Sequence, residues 1–290
     1  MKALDIPIVP WGPGSQPADE DGAPACMNMP GEMAVYAAPS LPQAQEVAHL
    51  TGAKAALARV REALAACGEN AGASVVDVSH LSPEEQALVN QVLGEGEVSI
   101  RLVGSSAVRI QESVLTGVWR VRRFGADGLC VQDTIEVCDI PPIVAASAEA
   151  AAKDALQWQT PPIGAINSPA LLIEVQERAR HYRETGDSHV INLTLLPLSP
   201  EDEVFLERML GQGQADILSR GYGSCRISAT ALKNAWWVRY YNSQDVMILN
   251  TIGIGGVPEV ACAAPQDMED SALRLGEILQ WLDGGDACSA

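Results

Sequence analysis

The sequence predicts an α+β fold built as two tandem repeats of one unit, in which a helix, a strand, a second helix and antiparallel strands follow one another. Residues 81–144, laid without a gap on residues 198–261, are identical at 18 of 64 positions counted along the sequence, against roughly 4 expected from average residue usage. Each copy also shares its helix-start residues and its segments of alternating apolar and polar residues. We expect a pseudo-twofold axis between the units, as in isologous dimers.

The chain divides into five predicted segments. The first is dense in Pro, Gly, Asp and Met without a sustained helical or strand period, which is typical of an extended arm. The segments are an extended N-terminal arm over residues 1–45, a first α+β repeat over 46–145, a linker over 146–167, a second α+β repeat over 168–262, and a C-terminal helix and tail over 263–290.

Each unit is predicted to open with a helix and a short strand. Residues 43–67 are rich in Ala, Glu, Lys and Leu with apolar residues at helical spacing, which predicts a helix ending near Gly68 and a strand over residues 74–78. In the second half, residues 169–184 carry one apolar stripe and lead into the strand-like segment HVINLTLL.

The second helix of each unit has a specific start signal, LSPE. Ser82 suits the N-cap, Pro83 the first helical position, and Glu85 the third, from which its carboxylate reaches back to the cap. Gly94 stands where a residue in the left-handed conformation would end the helix. The second copy repeats these positions with Ser199, Pro200, Asp202 and Gly211.

After this helix the period changes to two. The segments EVSIRL, VWRVRRF and LCVQDTIEV predict about three antiparallel strands, with GADG as a turn and the helices covering one face of the sheet. In VWRVRRF, alternation places Trp119 and Val121 on one face and Arg120, Arg122 and Phe124 on the other.

The second copy of that strand, AWWVRYY, gathers aromatic residues and an arginine in the same way. Trp236, Val238 and Tyr240 oppose a face that carries arginine and aromatic groups, a composition typical of protein-binding hot spots. An arginine paired with a carboxylate across the sheet explains the same pattern, and both readings stay open. The candidate partner-binding residues are Arg122, Trp237, Arg239 and Tyr241.

Composition restricts the class of partner. The 37 acidic residues outnumber 19 basic ones, and the net charge of −18 would repel nucleic acid and anionic lipid. No apolar run approaches the length of a membrane span, and the N-terminus lacks the apolar core of a secretory signal. Seven cysteines without close pairing suit reduced thiols, so we expect a cytoplasmic protein.

The sequence shows no catalytic signature. The four histidines form no HxxH or HExxH pattern, the cysteines form no CxxC, and GxSxG and phosphate-loop motifs are missing. We therefore expect no enzyme, no resident cofactor and no metal site. The methionines of MNMPGEM, residues 27–33, would suit a soft metal, although adaptable packing is the reading we favour.

Several segments together resemble the HupH/HyaF/HoxQ family of hydrogenase expression and formation proteins. They are DIPIVPWGPGSQP, MNMPGEM, the two LSPE helices ending in LGEGE and LGQGQ, and AWWVRYYNSQDVMILNTIGIGGVPEV. The resemblance implies a non-catalytic cytoplasmic maturation factor or chaperone. Its implied partners are the iron-sulfur small subunit of an uptake [NiFe] hydrogenase before its export, and other maturation factors, with a homo-oligomer left open.

Two other functions remain to be weighed against this one. Seven thiols would allow a metal or iron-sulfur carrier, and its candidate ligands are Cys130, Cys138, Cys225 or Cys262 together with Met or His. An enzyme would place its site in the cleft between the two units, where clefts commonly form.

Overall fold

The structure is a computed structural model that describes residues 41–67, 72–103, 107–221 and 223–284. Most of the predicted arm over residues 1–45, including the MNMPGEM segment, lies outside the described residues. So does the tail after residue 284.

The described residues form six α-helices, ten β-strands and two short 3₁₀ helices, which makes the fold α+β. The helices are α1 (Thr51–Ala65), α2 (Pro83–Leu93), α3 (Pro142–Ala150), α4 (Ser168–Thr185), α5 (Pro200–Leu210) and α6 (Pro265–Leu282). The strands are β1 (Ser74–Asp77), β2 (Val98–Leu102), β3 (Ala107–Glu112), β4 (Val118–Phe124), β5 (Cys130–Val137), β6 (His189–Asn192), β7 (Ala215–Gly221), β8 (Gly223–Ala229), β9 (Ala235–Tyr241) and β10 (Met247–Ile254). The 3₁₀ helices are Leu193–Leu195 and Glu259–Ala261.

The ten strands form one antiparallel sheet in the order β1-β5-β4-β3-β2-β7-β8-β9-β10-β6. Strands β2 and β7 pair at its centre, where Ile100 lies opposite Ile217. Those two residues are also matched to each other in the sequence alignment of the halves. Outward from this centre, β2 is followed by β3, β4, β5 and β1 on one side. On the other side β7 is followed by β8, β9, β10 and β6, so the two sides have the same order.

The predicted helix starts are confirmed. The Ser82 hydroxyl accepts a hydrogen bond from the Glu85 amide at 3.3 Å, and the Glu85 carboxylate accepts one from the Ser82 amide at 3.0 Å. Ser199 and Asp202 form the same reciprocal capping box on α5. These bonds satisfy amide groups that a helix start would otherwise leave unpaired.

The predicted helix ends differ in one respect. Gly94 has φ 55° and ψ −164°, so its φ is positive while its ψ is extended and lies outside the left-handed helical region. This combination is open essentially to glycine alone. The glycine therefore turns the chain directly from α2 toward the extended strand β2.

The two faces of the sheet are covered differently. One face, named the arginine face here, carries Arg101, Arg109, Arg122 and Arg226. The helices α1 and α2 pack with β1 and β5 at one end of it, and α4 and α5 pack with β6, β9 and β10 at the other. The opposite face holds a central core that includes Trp119 and Trp236. Helix α3 contributes to that core through Val144 and Ala148. The sequence predicts helices on one face of the sheet only, and α3 departs from this prediction.

Two strands and the start of the first helix differ from the prediction. Each half has four strands after its second helix, where about three are predicted. The additional strand is β3 in the first half and β8 in the second. Helix α1 begins at Thr51, after a turn over residues 44–49 rather than near residue 43. Helix α3 spans the boundary predicted between residues 145 and 146.

The last helix packs on the first half of the chain. Met268, Leu275 and Leu282 of α6 are buried in the same core cluster as α1. The Lys54 ammonium on α1 donates to the Leu282 carbonyl at 2.6 Å. None of the six described helices combines the length and the apolar composition that a membrane crossing requires.

Candidate functional site

A cleft of about 900 Å³ lies over the centre of the arginine face. Its floor comes from the five strands β4, β3, β2, β7 and β8, and one wall comes from the end of α2. Its charged lining residues are Glu95, Arg101, Arg109, Arg120, Arg122, Asp216 and Arg226. Its apolar lining side chains are Phe124 and Leu218, whereas Ile100, Ile110 and Ile217 line it with backbone because their side chains are buried in the core of the opposite face. The cleft is therefore basic and partly apolar, in a chain whose net charge is −18.

Three arginines lie side by side on adjacent strands. Arg122 of β4 is opposite Arg109 of β3, which in turn is opposite Arg101 of β2. A carboxylate closes each end of this row, since Asp133 is opposite Arg122 and Asp216 is opposite Arg101. The distances from these carboxylates to Arg122 and Arg101 are both 3.6 Å. Among the described residues, Arg109 in the middle has no ion pair.

A buried ion pair supports the first-half end of the row. Arg120 donates two hydrogen bonds to Asp133 from one edge of its guanidinium, Nε to Oδ1 and Nη2 to Oδ2, the latter at 2.7 Å. Both side chains are about one-tenth exposed. Asn90 of α2 accepts from Arg120 at 3.1 Å and from Arg122 at 3.4 Å. The predicted alternative, an arginine paired with a carboxylate across the sheet, thus applies to Arg120.

The second half carries a related arrangement. Arg226 of β8 is opposite Arg239 of β9. The Arg239 guanidinium donates to the Glu207 carboxylate at 2.6 Å and lies 4.3 Å from the Trp237 ring centroid. Arg226 lies 4.8 Å from the Tyr241 ring centroid and has no ion pair among the described residues. In the first half, Arg109 lies 5.1 Å from Phe124 in the same way.

The four predicted contact residues all lie on the arginine face, in different settings. Arg122 lines the cleft, with 42% of its side chain exposed. Arg239 and Tyr241 are half-buried beside it. Trp237 is only 7% exposed, packs in the core under α4 and α5, and donates its indole N–H to Asn250 at 2.6 Å. The tryptophan therefore supports the face from below.

Two cleft residues, Arg109 and Arg226, are not among the contact residues predicted from the sequence. Both are exposed, both line the cleft, and they occupy matching positions of the two halves. A signal for them was present in the sequence, because each is a charged residue that both copies retain inside an alternating strand.

The cysteines do not gather into a metal site within the described part of the chain, where no group of three or more His, Cys, Asp or Glu residues could hold a metal ion. Cys130 is exposed, whereas Cys138 and Cys225 are buried. Burial, followed by the nearby Asp139 and Glu259 carboxylates, raises the pKa of the Cys262 thiol to about 12. Burial also raises the thiol pKa values of Cys138 and Cys225. Burial thus favours the protonated form of these three thiols over the thiolate, which is the form that binds metal.

Comparison with known proteins places the chain in a family. The family profile described as HupH hydrogenase expression protein, C-terminal conserved region, matches twice, at residues 50–159 and 165–282. "Hydrogenase expression/formation protein HoxQ" from Cupriavidus necator is 43% identical over 97% of this chain and 99% of its own length. The chain belongs to the HupH/HoxQ/HyaF family of hydrogenase expression/formation proteins.

Other members of this family are similar over nearly their whole length. "Hydrogenase expression/formation protein HupH" from Rhodobacter capsulatus is 41% identical over 95% of this chain and 97% of its own. "Hydrogenase-1 operon protein HyaF" from Escherichia coli is 35% identical over 93% and 95%. A solved structure titled hydrogenase expression protein HupH, from Thiobacillus denitrificans, aligns with a TM-score of 0.37 and 30% identity over 38% of this chain and 92% of that chain. The sequence matches over nearly the full length make the chain a hydrogenase expression/formation protein.

Proposed function

We propose that this protein is a non-catalytic cytoplasmic maturation factor that binds the iron-sulfur small subunit of an uptake [NiFe] hydrogenase before that subunit is exported. Membership of the hydrogenase expression/formation family supplies the context. The observation that carries the proposal is the arginine-lined cleft, because it gathers arginine, aromatic and apolar groups on an open surface, as protein-binding hot spots do.

The residues proposed to contact the partner are Arg122, Arg239 and Tyr241, with Trp237 positioning Arg239 from beneath. A guanidinium stacked on a ring loses little further conformational freedom when it binds, because the ring already fixes its plane. Arg239 is held in this way over Trp237, with Glu207 fixing its edge. We propose that other maturation factors bind to the same complex and that the protein holds no resident cofactor.

We further propose that the scaffold is a tandem duplication with a pseudo-twofold axis between β2 and β7. Three observations support it: the matching strand order, the pairing of Ile100 with its counterpart Ile217, and the two separate profile matches. An axis there passes through the floor of the cleft, so both halves contribute arginines to one site. The proposed repeats cover residues 46–145 and 168–262, joined by 146–167 and flanked by an arm over 1–45 and a helical tail over 263–290.

The proposed function is tested by co-purification of the small subunit from cells that express it with this protein. We expect the wild-type protein to retain the subunit, and Arg122→Ala and Tyr241→Ala to lose at least about three-quarters of it, as hot-spot truncations do. Arg59→Ala on α1 is the matched control, because Arg59 is exposed and lies away from the cleft. Failure of the wild type to retain the subunit would overturn the proposal.

A further inference from the structure

The row of arginines on the arginine face is unfavourable for the sheet by itself. Like charges directly opposite each other on neighbouring strands repel. Arg101, Arg109 and Arg122 nevertheless stand opposite one another on three successive strands. The carboxylates at the two ends of the row offset the outer arginines, but none of the described carboxylates pairs with Arg109.

The second half repeats the same imbalance. Arg226 stands opposite Arg239, and Glu207 binds Arg239 alone. Arg109 and Arg226 are thus the two arginines of the cleft that combine exposure, an aromatic ring beneath the guanidinium, and no ion pair among the described residues. A ring contact occupies the face of a guanidinium and leaves the N–H groups at its edge for carboxylate.

The cleft is also a local exception to the charge of the molecule. Five of its lining residues are arginine and two are acidic, whereas the whole chain has 19 basic and 37 acidic residues. A cleft with an excess of one sign of charge attracts a ligand of the opposite sign. The acidic remainder of the surface would repel the same ligand, which favours its capture at this place.

We infer that the cleft binds an extended acidic segment of a protein partner, with Arg109 and Arg226 each taking one carboxylate. Three strand spacings separate β3 from β8, so the two arginines lie roughly 15 Å apart, the length of about four residues of extended chain. A single phosphate could not reach both. The half-buried Phe124 and Leu218 of the lining suit apolar side chains between the carboxylates. The inference rests on the proposed function for the identity of the partner.

The test uses a fluorescein-labelled peptide of about ten alternating Glu and Leu residues, blocked at both ends, and its Gln–Leu counterpart as the uncharged control. Fluorescence anisotropy with the full chain should show binding of the Glu–Leu peptide and at least about tenfold weaker binding of the Gln–Leu peptide. Arg109→Gln and Arg226→Gln should each weaken binding at least about fivefold, and the double variant further. Arg59→Gln, which changes net charge equally, should leave it unchanged.

A second measurement separates a binding role from a structural one. Because each substitution removes a like-charge contact, Arg109→Gln and Arg226→Gln should leave the thermal midpoint unchanged or raise it. A fall of more than about 4 °C in both would overturn the inference, since the arginines would then be holding the sheet together. Equal binding of the two peptides would overturn it as well. So would displacement of the Glu–Leu peptide by inorganic tripolyphosphate at the same molar concentration.

The two proposals can fail separately. The wild-type protein could retain the small subunit and fail to bind the Glu–Leu peptide. That result would overturn this inference and leave the proposed function intact. Binding of the peptide by a protein that does not retain the small subunit would support the acidic-segment site and overturn the proposed function.

Discussion

The two halves of the arginine face keep the same contacts with different chemistry. In the first half Arg120 binds Asp133 through a buried ion pair, and at the matching positions of the second half the Trp237 indole N–H donates to Asn250. Both pairs span the same two positions of neighbouring strands, 13 residues apart in sequence. The position thus requires a donor matched with an acceptor, and charge is one of two ways of meeting that requirement.

The helix above each strand follows the same rule. Asn90 of α2 accepts a hydrogen bond from Arg122, and Glu207 of α5 accepts one from Arg239, again at matching positions. The second-half arginine is therefore neutralised by its helix, while Arg122 shares Asp133 with Arg120. Each half thus keeps one arginine without an ion pair among the described residues, Arg109 and Arg226, and the first half differs in that two of its arginines share one carboxylate.

The largest expected effect comes from making the first-half pair resemble the second. Asp133→Asn leaves the buried Arg120 guanidinium facing a neutral amide, and we expect it to lower the free energy of unfolding by about 3 kcal/mol. Asn250→Ala, which removes the acceptor of an uncharged pair, should cost about 1 kcal/mol. Urea unfolding followed by circular dichroism measures both.

The double variant Arg120→Trp with Asp133→Asn is the control for this comparison. It imports the second-half pair complete, so it should regain more than half of the stability lost by Asp133→Asn. If the double variant is less stable than Asp133→Asn alone, the two halves do not offer interchangeable space at these positions.

A smaller, pH-dependent effect is expected at Glu112, whose counterpart in the second half is Ala229. Desolvation by burial raises the pKa of Glu112 to about 7. Hydrogen bonds from two backbone N–H groups lower the pKa, but the effect of burial is larger. The folded protein therefore holds this proton more tightly than the unfolded chain, and stability falls as pH rises from about 4.5 to about 7. Glu112→Gln should gain about 2 to 3 kcal/mol on the wild type between pH 5 and pH 8.

The measurement for Glu112 is the difference in urea midpoint between wild type and Glu112→Gln at a series of pH values. Taking the difference cancels the titration of the other carboxylates, which both proteins share. A constant difference across pH 5 to 8 would show that Glu112 titrates in its ordinary range, and the burial of this side chain at the end of β3 would then carry no charge penalty.

The smallest expected effect concerns a turn that both halves make with positive φ. Gly117 has φ 81° and its counterpart Asn234 has φ 60°. A Cβ on Gly117 would lie 2.6 Å from Cγ of Met268, whereas the turn at Asn234 already holds a side chain. Gly117→Asn should cost about 1 to 2 kcal/mol, and Asn234→Gly should stay within about 0.5 kcal/mol. Thermal unfolding measures the pair, and equal costs would mean that Met268 is not what separates the two turns.

The parts of the fold that local chemistry determines could be predicted from the sequence. The start of α2 is specified by Ser82, Pro83 and Glu85, which are close together in sequence. In strand β4 the alternation of residue types predicts which side chains share a face. Strand β3 was missed because only Val108 and Ile110 carry its apolar face, between polar residues typical of a loop. The order of ten strands could not be read, because pairing β2 with β7 joins segments more than 100 residues apart.

The site was predictable in part. Alternation placed Arg122, Arg239 and Tyr241 on one face, and the structure has them there. The cleft itself depends on the pairing of β2 with β7, which brings Arg101, Arg109 and Arg226 over one floor. That closeness is a property of the assembled sheet, so no single segment carries a signal for it.

The position of α6 constrains the order in which this chain can complete its fold. Its residues Met268 and Leu275 follow α1 by more than 200 residues, yet they are buried in the same core cluster. Contacts between segments so far apart in sequence form slowly, because a long loop must close before they are made. We therefore expect the first half to keep part of its apolar surface uncovered during synthesis until the second half and α6 have followed it.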